Sequence, residues 1–160
     1  MNRARMILLV LAMGLVMLTG CDASRSGDWV EIAGQRFTVE LATTANTQFL
    51  GMSGRADVPA GTGMLFIFPH EARRTFVMRD CLVPLDIAFI DDEGMIVKTY
   101  TMPIEPDQRH LKPYPSVTPT SLVLEVAGGA FEPLGIGEGQ HVTFSPAVQR
   151  VIDEVRRSRR

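Results

Sequence analysis

The chain predicts a mainly β fold of the α+β class: a small barrel or strongly curved sheet with one or two short helices and a C-terminal helix. Three observations predict it. The apolar runs are many, short and rich in Val, Ile, Leu and Phe. Gly, Pro and Asp punctuate them at short intervals, as turns between strands do. Helical periodicity shows in only two places, one short segment and the tail.

The elements follow in order. "WVEIAGQRFTVELA" is two strands joined around Ala33-Gly34-Gln35, a hairpin signal. Phe37, Val39 and Leu41 alternate with Thr38 and Glu40, which gives that strand one buried face. In "TTANTQFLGMSGR", Thr43 or Thr44 caps a short helix that Gly54 ends. Pro59 to Gly63 is a loop, and "GMLFIFP" is a buried strand closed by Pro69. "HEARR" turns, "TFVMR" is a strand, and "PLDIAFID" is the next after a break at Pro84. "DDEG" is a tight turn before the hairpin partner "MIVKTYT". Residues 102 to 119 hold five prolines and read as a long loop of the kind that carries function. "TSLVLEVA" is a strand, and "GGAFEPLGIGEGQHVTF" is a Gly-rich turn, one helical turn and a final strand.

After Pro146, Val148, Val151, Ile152 and Val155 fall on one helical face. Arg150, Arg156, Arg157, Arg159 and Arg160 make this tail basic. A basic amphipathic helix can lie on an anionic membrane. The small apolar face favours docking on the domain instead.

The first residues read as an export signal. Arg3 and Arg5 precede an apolar stretch from Met6 to Leu18, shorter than the roughly 20 residues that span a bilayer. "LTGC" then resembles the lipobox of bacterial lipoproteins, which implies lipidation at Cys21 and anchoring in the bilayer. Asp22 after it suggests, by the enteric rule, retention at the inner membrane on the periplasmic face. The expected organisation is a signal over 1–20, a tether over 21–27, one globular domain over 28–145 and a basic tail over 146–160. Losing Arg3 and Arg5 leaves 14 basic residues against 18 acidic, a net of about −4. An exported acidic domain is a poor candidate for nucleic-acid binding.

Little chemistry declares itself. Cys81 is left without an intramolecular partner once Cys21 is lipidated; it sits among apolar residues and reads as a small core residue. His70, His110 and His141 are scattered without metal-ligand spacing, so neither a metal nor a cofactor is expected. No G-x-S-x-G elbow is present, and Gly135 to Gly139 lacks the Lys and helix context of a phosphate loop.

The densest polar cluster is "TFVMRDCLVPLDIAFID", residues 75 to 91. Asp86 opens an apolar strand, so its carboxylate needs solvent, hydrogen bonds or a cation. Arg55 is the first candidate partner and Arg79 the second. Asp80 and Asp86 are weak candidates for an acid pair, since separation decides that chemistry. Tyr114, on the Pro-rich loop, is an aromatic suited to a cleft wall. The candidate ligand-binding set is therefore Arg55, Arg79, Asp80, Asp86 and Tyr114.

Two blocks, "GMLFIFP…TFVMRDCLVPLDIAFIDDEGMIV" and "LVLEVAGGAFEPLGIGEGQHVTF", with "TANTQFLGMSGR" upstream, resemble the bacterial and archaeal family called domain of unknown function 192. The resemblance runs from about Phe37 to Phe144. Where the family often has Asn, Thr and Trp, this chain has Asp80, Cys81 and Val77, and its long loop lacks the Cys pair of many exported members. The resemblance implies a compact β-rich fold, frequently exported or lipid-anchored, and no established activity. Together these readings favour an envelope-tethered, non-catalytic binding or accessory domain for a small polar ligand, such as a saccharide, or for a membrane-protein partner. The alternative is a carboxylate-dependent hydrolase acting on envelope material.

Overall fold

The computed structural model describes residues 27–158. Cys21, the signal and most of the tether lie outside those residues. Strands β1 (Trp29–Ile32) and β2 (Gln35–Ala42) form the expected hairpin. Ala33 and Gly34 make its turn with φ of 51° and 79°, the left-handed pair that suits the twist of a two-residue hairpin. Helix α1 (Ala45–Leu50) starts at Thr44, whose side chain accepts from Thr47 N–H while Thr47 Oγ1 accepts from Thr44 N–H. It ends at Gly51 rather than Gly54.

β3 (Thr62–Ala72) lies parallel to β2, with α1 and the following loop as the crossover. It runs three residues past Pro69, through an irregular stretch between Ile67 and Ala72 where a missing N–H is tolerated. The segment "TFVMR" is a strand only at β4 (Thr75–Phe76). The chain then turns at Met78–Cys81, with Asp80 at φ 51°, before β5 (Leu85–Ile90). β6 (Ile96–Met102) pairs with β5. The Pro-rich segment contributes β7 (Tyr114–Pro115), which pairs with β4 in a separate ribbon. β8 (Thr120–Ala127), a 3-10 turn at Glu132–Leu134, β9 (Val142–Phe144) and α2 (Pro146–Arg157) complete the chain.

Seven strands form one curled half-barrel in the order β6-β5-β8-β3-β2-β1-β9. Its two edges meet at one end: Met95 bridges His141, and Ile96 N–H donates to Gln140 O at 2.9 Å. Both faces are covered at the centre. All six residues of β5 and seven of eight in β8 are buried, which explains why these strands read as continuous apolar runs instead of alternating.

One face packs Val30, Phe37, Leu65, Leu124 and Val126 against Val148 and Ile152 of α2. Ser145 caps that helix, and Pro146 fits its first turn. Arg156 near its end pairs with Asp92 at 2.6 Å. The tail is therefore a wall of the core. The other face packs Phe66, Ile87, Phe89 and Val123 against Met52, Met78, Cys81 and Tyr114. Among the described residues, every buried residue of the two cores lies between Val30 and Ile152. Among the described residues no helix is long and apolar enough to cross a membrane.

Candidate ligand cleft around Glu125

The side chains of β8 alternate between the two cores. Leu122, Leu124 and Val126 face α2, and Val123 and Glu125 face the other way. Glu125 stands opposite Met64 of β3 and Ile87 of β5, at the centre of the sheet and 4 % exposed. The end of α1 passes over it. Gly51, at φ 50° and ψ −130°, lies so close that an added Cβ would stand 3.3 Å from the Phe66 ring and 3.8 Å from Glu125 Oε2. Only glycine lets the chain cross there without strain.

Between α1, β4 and the sheet is an open cleft of about 370 Å³ with Glu125 in its wall. Phe66 and Phe76 meet edge to face at 5.0 Å among its apolar residues. Arg73, Arg74 and Arg79 also line it. Arg79 lies 3.8 Å over the exposed Phe49 ring and donates to Phe49 O. Arg74 lies over Phe68 at 3.5 Å and donates to Thr120 O at 2.9 Å and His70 O at 2.6 Å.

Glu125 is the sole acid among the lining residues. Burial pushes its carboxyl up to about 8, outweighing the opposing charge of Arg55. At neutral pH the group is mostly protonated and can donate a hydrogen bond. Cys81 shares the cleft. Burial, then the charges of Glu125 and Asp80, push its thiol up to about 11, so it is no ready nucleophile. A second cavity, of about 270 Å³, lies beside β2 and is lined by Glu40, Arg55, Val58 and Met52, the last shared with the main cleft.

Of the five residues expected to share one cleft, only Arg79 lines this one. Arg55 does not reach Asp86; it forms a two-pronged pair with Glu40 at 2.5 and 2.7 Å. That pair lowers the carboxyl of Glu40 and raises the guanidinium. Asp86 is fully buried on the α2 face, where one oxygen accepts from Phe131 N–H at 2.8 Å. Its Oδ1 has no partner among the described residues. Asp80 is exposed in the turn, and its N–H donates to Gln108 Oε1 at 2.8 Å. Tyr114 is buried, its ring 5.5 Å from Tyr100 and its hydroxyl 3.4 Å from Glu105. Asp80 and Asp86 thus face no common cleft. Among the described residues no group of three or more His, Cys, Asp or Glu is placed to hold a metal.

Sequence reasoning missed Glu125. The signal was present: "LVLEVA" holds one acid in a strand apolar on both sides of it, the same pattern that drew attention to Asp86. A carboxyl in such a run must reach a partner or a cavity.

Comparison with known proteins agrees with the architecture. No curated protein matches the chain. A candidate transcription regulator from Sinorhizobium meliloti 1021 has a similar solved structure, with 26 % identity over 73 % of this chain and 92 % of that one, at a TM-score of 0.66. A protein of unknown function from Novosphingobium aromaticivorans DSM 12444 is also similar, with 31 % identity over 72 % of this chain and 83 % of that one, at a TM-score of 0.67. The family model DUF192, "Uncharacterized ACR", matches residues 29–144, which takes in the whole curled sheet. The chain belongs to the DUF192 family.

Proposed function

We propose that this domain binds a small molecule in the Glu125 cleft and performs no chemistry on it. One observation carries the reading: the Glu125 carboxyl, 4 % exposed and without a hydrogen bond among the described residues, borders an open, aromatic-lined cavity. Such a group is costly unless something meets it, and a ligand acceptor would do so. The hydrolase alternative needs two carboxyls at a working separation. Glu125 has no second acid beside it in the cleft, which favours binding over hydrolysis. The signal-like start and the lipobox ending at Cys21 support tethering of this module at the cell envelope.

The test is a thermal-shift screen of residues 27–160 against saccharides, muropeptides, nucleotides and small organic acids. A ligand at 100 times its dissociation constant stabilises by about 2.7 kcal/mol. Thr75→Trp, which enlarges an exposed lining residue, should abolish a true hit. Hits that survive Thr75→Trp, or no hits at all, would overturn the small-ligand reading and direct attention to a protein partner.

A further inference from the structure

We infer that the cleft selects an amphipathic anion: an alkyl or aryl body against Phe66 and Phe76, with a carboxylate or phosphate head at Arg73 and Arg79. This deepens the binding reading above and rests on it. The charge of the lining decides the head group. Three arginines line the cleft against a single acid. That acid lies 96 % out of solvent and, being mostly neutral at physiological pH, does not cancel them. Neither Arg73 nor Arg79 forms an ion pair among the described residues, whereas Arg36, Arg55 and Arg156 each do. Arg79 is nonetheless held in place, by its stacking on Phe49 and its bond to Phe49 O. An ordered guanidinium with unspent donors is a carboxylate or phosphate receptor.

The rest of the lining decides the body. Phe49, Phe66, Phe68 and Phe76 present ring surface, while Ser53, Gln48 and Thr75 supply few polar groups. That lining suits an apolar body with one polar end better than a saccharide, which needs hydrogen bonds all round. Phe49 and Leu50 remain 62 % and 52 % exposed beside the cleft, apolar surface that a ligand chain would cover. The volume sits at the small end of ligand pockets, which begin near 300 Å³.

Calorimetric titration of residues 27–160 with octanoate, octanol and octylamine separates head from body, since the chain is the same in all three. Octanoate should bind at least about tenfold more tightly than octanol, the scale of a charged hydrogen bond. Octylamine should bind most weakly. Arg73→Ala, at an exposed position, and Arg79→Ala should each narrow the ratio of octanoate to octanol affinity. Equal affinity for octanoate and octanol, or tighter binding of the amine, would overturn the anion inference and leave a binding cleft standing. No binding of any probe would remove both. Phosphatidylglycerol vesicles then separate the two sources of such an anion. Vesicle binding displaced by octanoate assigns a membrane lipid, and octanoate binding without vesicle binding assigns a free amphipath.

Discussion

Glu125 and Asp86 stand on adjacent strands, one register position apart, and point to opposite faces of the sheet. Asp86 pairs across from Val126, and Glu125 across from Ile87, so a shift of one residue separates a carboxyl in the α2 core from one in the cleft. The first is given a backbone donor, Phe131 N–H; the second borders a cavity. Their different surroundings lead to different experiments.

Glu125 should make the domain less stable as pH rises. Its folded value of about 8 lies above the ordinary 4.5, so the folded state keeps a proton that the unfolded state releases. This contribution is most favourable below about 4.5, falls across the window from 4.5 to 8, and levels off above it. The loss is on the order of several kcal/mol. Burial dominates at Glu125 and the Arg55 charge opposes it; Arg73, Arg74, Arg79 and Cys81 share its cleft. Glu125→Gln should flatten the slope, and urea midpoints between pH 5.5 and 9 for both proteins would show it.

Asp86→Ala should cost stability and spare binding. It leaves Phe131 N–H buried without an acceptor, at about 2 kcal/mol. A lower melting temperature with unchanged octanoate affinity is the expected pair of results. A lost affinity with an intact melting temperature would return Asp86 to the ligand site.

Gly51→Ala should damage fold and cleft together. The backbone there is open to glycine and strained for alanine, and the new methyl presses on Phe66 beside Glu125. About 1–3 kcal/mol of destabilisation is expected, with weaker ligand binding in the surviving folded fraction. Denaturant curves and calorimetry on one sample report both.

Ile152→Ala should destabilise by about 2–5 kcal/mol, since Ile152 is a core residue contributed by α2. Removal of residues 146–160 should unfold the domain, so loss of vesicle binding by such a truncation would not identify a membrane-binding tail. Circular dichroism melts of the two variants check this.

Ala33→Asn should stabilise by about 1 kcal/mol. Ala33 holds φ 51° in an exposed turn, a conformation that asparagine adopts more easily than alanine. A raised melting temperature is the expected outcome.

Elements with a local signal were legible in the sequence. The β1–β2 hairpin announced itself through Ala33-Gly34, β5 and β8 through their apolar runs, and α2 through Val148, Val151, Ile152 and Val155. The site was less legible, because a strand residue's face depends on register with neighbours distant in sequence. Nothing near Asp86 indicates that it joins Phe131, 45 residues away. Arg55 meets Glu40 because β2 and α1 return to one place, a relation that spacing does not encode. Tyr114 reads as a loop residue, yet β4 and β7 pair and draw it into the core. Glu125 needed only closer attention to a lone acid in an apolar strand.

The seam between β6 and β9 bears on self-association. A curled sheet has two outer strands whose unpaired backbone invites another copy of the chain. Here β9 is only three residues long, and the Met95–His141 bridge ties its start to β6. Beside that bridge, Gly139 N–H donates to Ile96 O at 2.8 Å and Val142 N–H to Gly94 O at 2.8 Å. These bonds occupy backbone groups where the two margins meet, so less strand is open there to a second molecule. Sheet growth by addition of a second chain is disfavoured at that end.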